Sequence, residues 1–141
     1  MIKVLGAAAL AAFVVIGVGV SALAADDMHG VPKKYWDHRN PLEPTDSNLM
    51  QGKVMYEAYC VRCHGPIGLG DGPDGKLIDP PPAPLAYTLH MPASTDPFMF
   101  WSIIEGGHQF DTDMPSFSGK LSDTETWQVV LYLRSGFLEV K

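Results

Sequence analysis

Five residues constrain this chain more than all the others: Cys60-Val61-Arg62-Cys63-His64. They contain both of its cysteines, and a histidine follows the second directly. On a helical turn, residues three apart share a face. Two thiols so placed can each reach one vinyl group of a porphyrin and form a thioether. The next residue then directs its imidazole at the iron as proximal ligand. Cys-x-x-Cys-His is the attachment signature of c-type haem. Three other readings use the same cysteines. A thioredoxin-like redox dithiol wants a βαβ context, and no segment here has strand alternation. Structural zinc takes four protein ligands, and there is no second cysteine pair. A short structural disulfide is compatible with an exported protein.

Export is the expectation from the N-terminus. Lys3 is the sole charge before Asp26, Val4 to Val20 is apolar, and Ala22-Leu23-Ala24 has the small-x-small pattern of a cleavage site. Residues 1–24 therefore read as a secretory signal peptide, though the run is also long enough for an uncleaved membrane anchor. Both readings put the following domain outside the cytoplasm, in the periplasm or an equivalent compartment. The full chain of 141 residues has a net charge of −6, and loss of Lys3 makes it more negative. An acidic domain does not seek nucleic acid or anionic lipid. It suits a basic docking surface on a redox protein that gives or takes electrons.

Residues 25–47 read as an extended arm, because Pro32, Pro41 and Pro44 disfavour helix. Tyr35, Trp36 and Leu42 are its expected anchors, and His29 and His38 read as exposed. The main domain is expected over 48–138, all-α, with three main helices joined by long loops. The first helix is expected from Asn48 to Cys63, capped by Asn48 with Gln51 in capping-box register. Leu49, Gly52, Tyr56 and Tyr59 recur at helical spacing, with Gly52 allowing another helix backbone close. The second spans Asp96 to Glu105, capped by Thr95 or Asp96 and stopped by Gly106-Gly107. The third spans Ser122 to Ser135, with Ser122 and Glu125 as capping box, Leu121 as staple and Gly136 as terminator. Residues 65–95 read as a glycine- and proline-rich loop, stiffened by Pro80-Pro81-Pro82-Ala83-Pro84; loops this long usually wrap something, and a flat apolar cofactor is one such object.

His64 takes one axial position of the iron. Met114, His108, His90 and Met91 are candidates for the other. Met114 lies in a loop between two apolar helices, and Pro115 restricts its backbone to an extended shape, so it is preferred. His108 would give bis-histidine ligation, and Met91, also followed by proline, ranks third. A thioether ligand raises the reduction potential relative to bis-His and fills the site, which favours electron transfer over oxygen chemistry.

Taken in order, these features resemble the class I (mitochondrial-type) cytochrome c family, especially small bacterial mono-haem members. Gly52 and Tyr56 resemble the glycine and aromatic of its N-terminal helix. Cys60, Cys63 and His64 match its haem motif. Met114-Pro115 resembles its distal loop, and Trp127 to Arg134 its C-terminal helix. The resemblance implies the class I fold around one covalent haem c with His64/Met114 ligation. It also implies that the first and last helices cross near a right angle, with Gly52 and Tyr56 touching Val129 and Tyr132. In the family a proline carbonyl accepts the proximal histidine's other ring proton. Pro81 or Pro82 is the implied counterpart, although Pro84 stands where the family often has aspartate. The expected function is single-electron transfer between exported or membrane-bound redox proteins, and the chain is not itself an enzyme. The alternatives are a dedicated cytochrome subunit of a larger oxidoreductase or terminal oxidase, a haem enzyme or sensor with a displaceable Met114, and a haemless dithiol protein.

Overall fold

Two helices meet backbone to backbone across one glycine, and the rest of the fold is arranged on that crossing. The structure, a computed structural model, describes residues 30–137. The first of the two, α1, spans Asp46–Tyr59, and the last helix, α5, spans Asp123–Arg134. On α1 the buried residues are Gly52 and Tyr56, four apart and therefore on one face. The nearest atoms to a Cβ at Gly52 would be the carbonyl of Gln128 and the Cβ of Tyr132. The Tyr56 and Tyr132 rings lie 5.7 Å apart. Tyr132 is thus met as expected, but Gln128 rather than Val129 is nearest to Gly52.

Between them stand a single turn, α2, Val61–His64; a second single turn, α3, Leu85–Thr88; and α4, Asp96–Glu105. Among the described residues there is no β-strand, only an isolated bridge between Ser118 and Leu121. Local signals fix α4 and α5 closely. The Thr95 hydroxyl accepts from the Phe98 amide, Pro97 sits in the first turn, and Gly106 ends α4 at φ 81°. Ser122 and Glu125 form the reciprocal capping box of α5, and Gly136 follows it at φ 70°.

The first helix differs from its expectation at both ends. Thr45, not Asn48, caps it, accepting from the Asn48 backbone amide, while the Asn48 side-chain Nδ2 donates to the Glu43 carbonyl at 2.9 Å. Both are good cap residues, and the helix begins as soon as the chain leaves Pro44. At the other end Cys60 (φ −108°, ψ −35°) separates α1 from α2. The loop expected over 65–95 contains α3 and a 3-10 turn at Gly75–Leu77.

The arm from residue 30 includes a 3-10 turn, Lys33–Tyr35. Val31 and Tyr35 are buried, and Trp36 and Leu42 pack on the core. The Asn40 side chain donates to the Trp127 carbonyl at 2.9 Å. His38 is half-buried rather than exposed, with its ring 5.1 Å from Tyr35 and 5.2 Å from Phe100. Phe100 in turn stacks on Trp127 at 4.5 Å. His29 and residues 1–24 lie outside the described residues, as does the end of the domain expected to reach 138. Among the described residues no helix is long and apolar enough to cross a membrane.

Candidate functional site

The Cys-x-x-Cys-His segment folds as one closed turn, and every exposed carbonyl of that turn has a partner. The amides of Cys63 and His64 donate to the Cys60 carbonyl at 3.1 and 2.9 Å. The carbonyls of Val61, Arg62, Cys63 and His64 then accept from the amides of Gly65, Asp74, Gly72 and Gly70. A helix end leaves such carbonyls unpaired, so the glycine-rich loop caps α2. Gly72 must be glycine for this, since a Cβ there would lie 2.5 Å from the Val61 and Arg62 carbonyl oxygens. Arg62 Nε donates to Asp74 Oδ2 at 2.5 Å across the same joint. Tyr56 reaches down from α1 and donates to the Gly65 carbonyl at 2.7 Å.

His64 is oriented by its ring partner. Nδ1 lies 3.1 Å from the Ala83 carbonyl oxygen. With the proton on Nδ1 donated to that carbonyl, Nε2 keeps a free lone pair for a metal. The acceptor is therefore Ala83, not Pro81 or Pro82. Pro84 restricts Ala83 to extended backbone, so the proline run still supplies the rigidity. Burial lowers the His64 pKa, against the raising effect of the Ala83 hydrogen bond; the ring is thus biased to the neutral, ligating form. Burial, reinforced by Cys63, pushes the Cys60 thiol up to about 12. A buried thiol so raised is a poor nucleophile, and among the described residues no β-strand supplies the βαβ context of a thioredoxin-like dithiol. No disulfide joins the two cysteines.

Cys60, Cys63 and His64 line a cavity of about 750 Å³ with a mostly apolar wall that includes Phe98, Phe117 and Leu133. Its volume falls within the roughly 300–1,000 Å³ of cofactor pockets. Met114 lines the same cavity and packs on the core. Its loop lies on the end of α4, with the Gly107 amide donating to the Met114 carbonyl at 2.8 Å. Met91 also borders the cavity but is 58% exposed. His90 faces a separate pocket of about 180 Å³, and His108 is exposed in the 3-10 turn His108–Phe110. Among the described residues no group of three or more His, Cys, Asp or Glu side chains could hold a bare metal ion. The donor set instead fits an iron held in a macrocycle: two thiols for the ring edge, one imidazole, and one thioether.

A family model described as cytochrome c oxidase, cbb3-type, subunit III matches residues 47–133. The chain belongs to that family. It is a c-type cytochrome domain, which implies haem c as cofactor. Among solved structures, it is similar to a chain of the Kuenenia stuttgartiensis reducing HAO-like protein complex, at 30% identity and a TM-score of 0.56. The match covers 68% of this chain and 46% of that one, so the cytochrome spans less than half the length of its structural relative. No curated protein matches it.

Two parts of this cytochrome site had no reading as such in the sequence. Ala83 acts through its carbonyl, which every residue possesses. Gly106 and Gly107 read as a helix stop, and they are also the surface on which the Met114 loop rests. A Cβ on Gly106 would lie 2.7 Å from the Met114 carbonyl oxygen, and one on Gly107 would lie 2.9 Å from the Met114 Cβ. Two consecutive glycines where one suffices to end a helix was the available signal.

Proposed function

We propose that the chain is an exported mono-haem c-type cytochrome that carries single electrons, with His64 and Met114 as axial ligands. The observation that carries the reading is that both cysteines, His64 and Met114 border one apolar-walled cavity. When bound, haem supplies a one-electron Fe(III)/Fe(II) couple. The chain's residues do the rest. Cys60 and Cys63 tether the ring through thioethers, and His64 presents Nε2 while Ala83 holds its other proton. Met114 would serve as the second protein ligand of the iron, and the apolar wall excludes water. In this reading residues 1–24 are the export signal or anchor, 25–47 the arm and 48–138 the cytochrome domain. The acidic surface meets a basic patch on the redox partner in the periplasm.

The test is Met114→Ala. The variant is expected to retain covalent haem but lose the far-red charge-transfer band of methionine-ligated ferric haem. Its reduction potential should fall by on the order of 0.1–0.3 V, within the ~0.8 V that axial ligands span. A variant with the parent's band and potential overturns the ligand assignment. A parent chain without thioether-linked haem by mass overturns the whole reading.

A second reading has its own support: the cytochrome is a dedicated subunit of a larger oxidoreductase or terminal oxidase. The matching family is described by an oxidase subunit, and the similar solved chain belongs to a reducing HAO-like protein complex. Retention of a catalytic partner through detergent extraction and gel filtration supports a subunit. A chain that elutes alone and reduces several acceptors is a free carrier.

A further inference from the structure

Glu105 is the last residue of α4, directly before the two glycines on which the Met114 loop rests. Its carboxylate has three donors. Oε1 accepts from Lys34 Nζ at 2.6 Å and from the Tyr35 hydroxyl at 2.7 Å, and Oε2 accepts from Trp101 Nε1 at 3.0 Å. Tyr35 and Trp101 are buried. One side chain thus joins the N-terminal arm to the last turn of α4.

The backbone of that turn holds the distal loop. The Ile103 carbonyl accepts from the Phe117 amide at 3.2 Å. The Ile104 carbonyl accepts from the Ser118 amide at 3.1 Å and from Ser116 Oγ at 2.7 Å. The Gly107 amide donates to the Met114 carbonyl at 2.8 Å. Residues 103–107 therefore stand between the arm and the Met114 loop, bonded to both.

We propose that Glu105 is a positioning residue for the distal ligand: by tying Tyr35 and Lys34 of the arm to the last turn of α4, it keeps the Met114 loop closed over the cavity. This rests on the reading of Met114 as distal ligand. A helix C-terminus frays by default, because its last carbonyls lack partners within the helix. The loop can leave the cavity if its bonds to this turn break or if the turn itself unwinds. Bonds from the arm oppose the second route. Hydrogen bonds to a charged group are about twice as strong as neutral ones. Lys34, then Tyr35, holds the Glu105 carboxyl below its usual range, so it is charged at neutral pH. Removing one such bond raises the locally open population without requiring global unfolding.

The experiment uses the full-length holoprotein in its ferric form. Cyanide binding requires the distal position to be free, so its rate constant under native conditions reads the open population. Tyr35→Phe, which deletes one oxygen, and the near-isosteric Glu105→Gln are each expected to speed cyanide binding about tenfold. Their combination should not exceed the larger single effect by the full product, because both act through one contact. Lys34→Gln, at the exposed edge of the network, should change the rate by less than about threefold. Each variant should keep the far-red methionine band at neutral pH. If Tyr35→Phe and Glu105→Gln lower the denaturant midpoint but bind cyanide at the parental rate, the contact is only a structural brace and the proposal is wrong. A parent protein without the methionine band instead overturns the ligand assignment, and this proposal with it. The two failures are distinguished by the parent's spectrum alone.

Discussion

The double substitution Cys60→Ser/Cys63→Ser is expected to yield a chain with no haem-linked mass and without a fixed tertiary structure. The cavity between the motif turn, α3, α4, α5 and the Met114 loop measures about 750 Å³. Unfilled volume costs about 24 cal/mol per Å³, which extrapolates to on the order of 18 kcal/mol for a space of this size. The cavity is open on one side, so water relieves part of that cost. Even a fraction of it is comparable with the ~5–15 kcal/mol stability of a whole domain. The α1–α5 crossing does not border the cavity along its full length and retains the Gly52–Gln128 contact. Far-ultraviolet circular dichroism should therefore keep much of its helical signal while the near-ultraviolet signal is lost, the pattern of a compact but unpacked state. Either single substitution keeps one thioether and should be milder. A double variant that melts cooperatively at the parental temperature without haem would mean that the cavity is not the organising centre of the fold.

Local signals were the most legible part of the sequence, and tertiary partners were legible only in part. Thr95, Pro97, Ser122, Glu125 and Gly136 act within a few residues of themselves, and α4 and α5 lie within a residue of where those signals put them. The start of α1 was expected at Asn48, but Thr45 is an equally competent cap three residues earlier and the structure shows that the chain uses it. Leu85–Thr88 is one turn long and so too short to show a 3.6-residue period. The motif was legible because its cysteines and histidine stand at a fixed spacing, and Met114 was singled out by the proline that follows it; the structure places all four on one cavity. The Ala83 acceptor was not, because a carbonyl leaves no mark on residue type. His38 was misjudged for a related reason. Its partner Phe100 lies far along the chain, and nothing near residue 38 signals the contact.

Gly52→Ala is expected to destabilise the holoprotein by about 3 kcal/mol or more, although local propensity alone has the opposite sign. In an isolated helix, alanine is favoured over glycine by roughly 0.8–1.0 kcal/mol. Here the added Cβ would lie 2.0 Å from the Gln128 carbonyl oxygen and 2.6 Å from its carbon. Those are backbone atoms in the middle of α5, so no rotamer change relieves the clash and the helices must move apart. Overpacking typically costs 1–3 kcal/mol and more where the obstacle is rigid, which outweighs the propensity gain. The displacement should also reach the site. Tyr56 lies one turn along α1, and its hydroxyl donates to Gly65 at the end of the motif turn at 2.7 Å. Denaturant unfolding of Gly52→Ala beside the parent measures the first effect, and accessibility of the ferric iron to cyanide measures the second. A variant as stable as the parent, or more so, would show that α1 and α5 are not pressed together at this glycine. The alignment of Tyr56 with the motif turn would then need another cause.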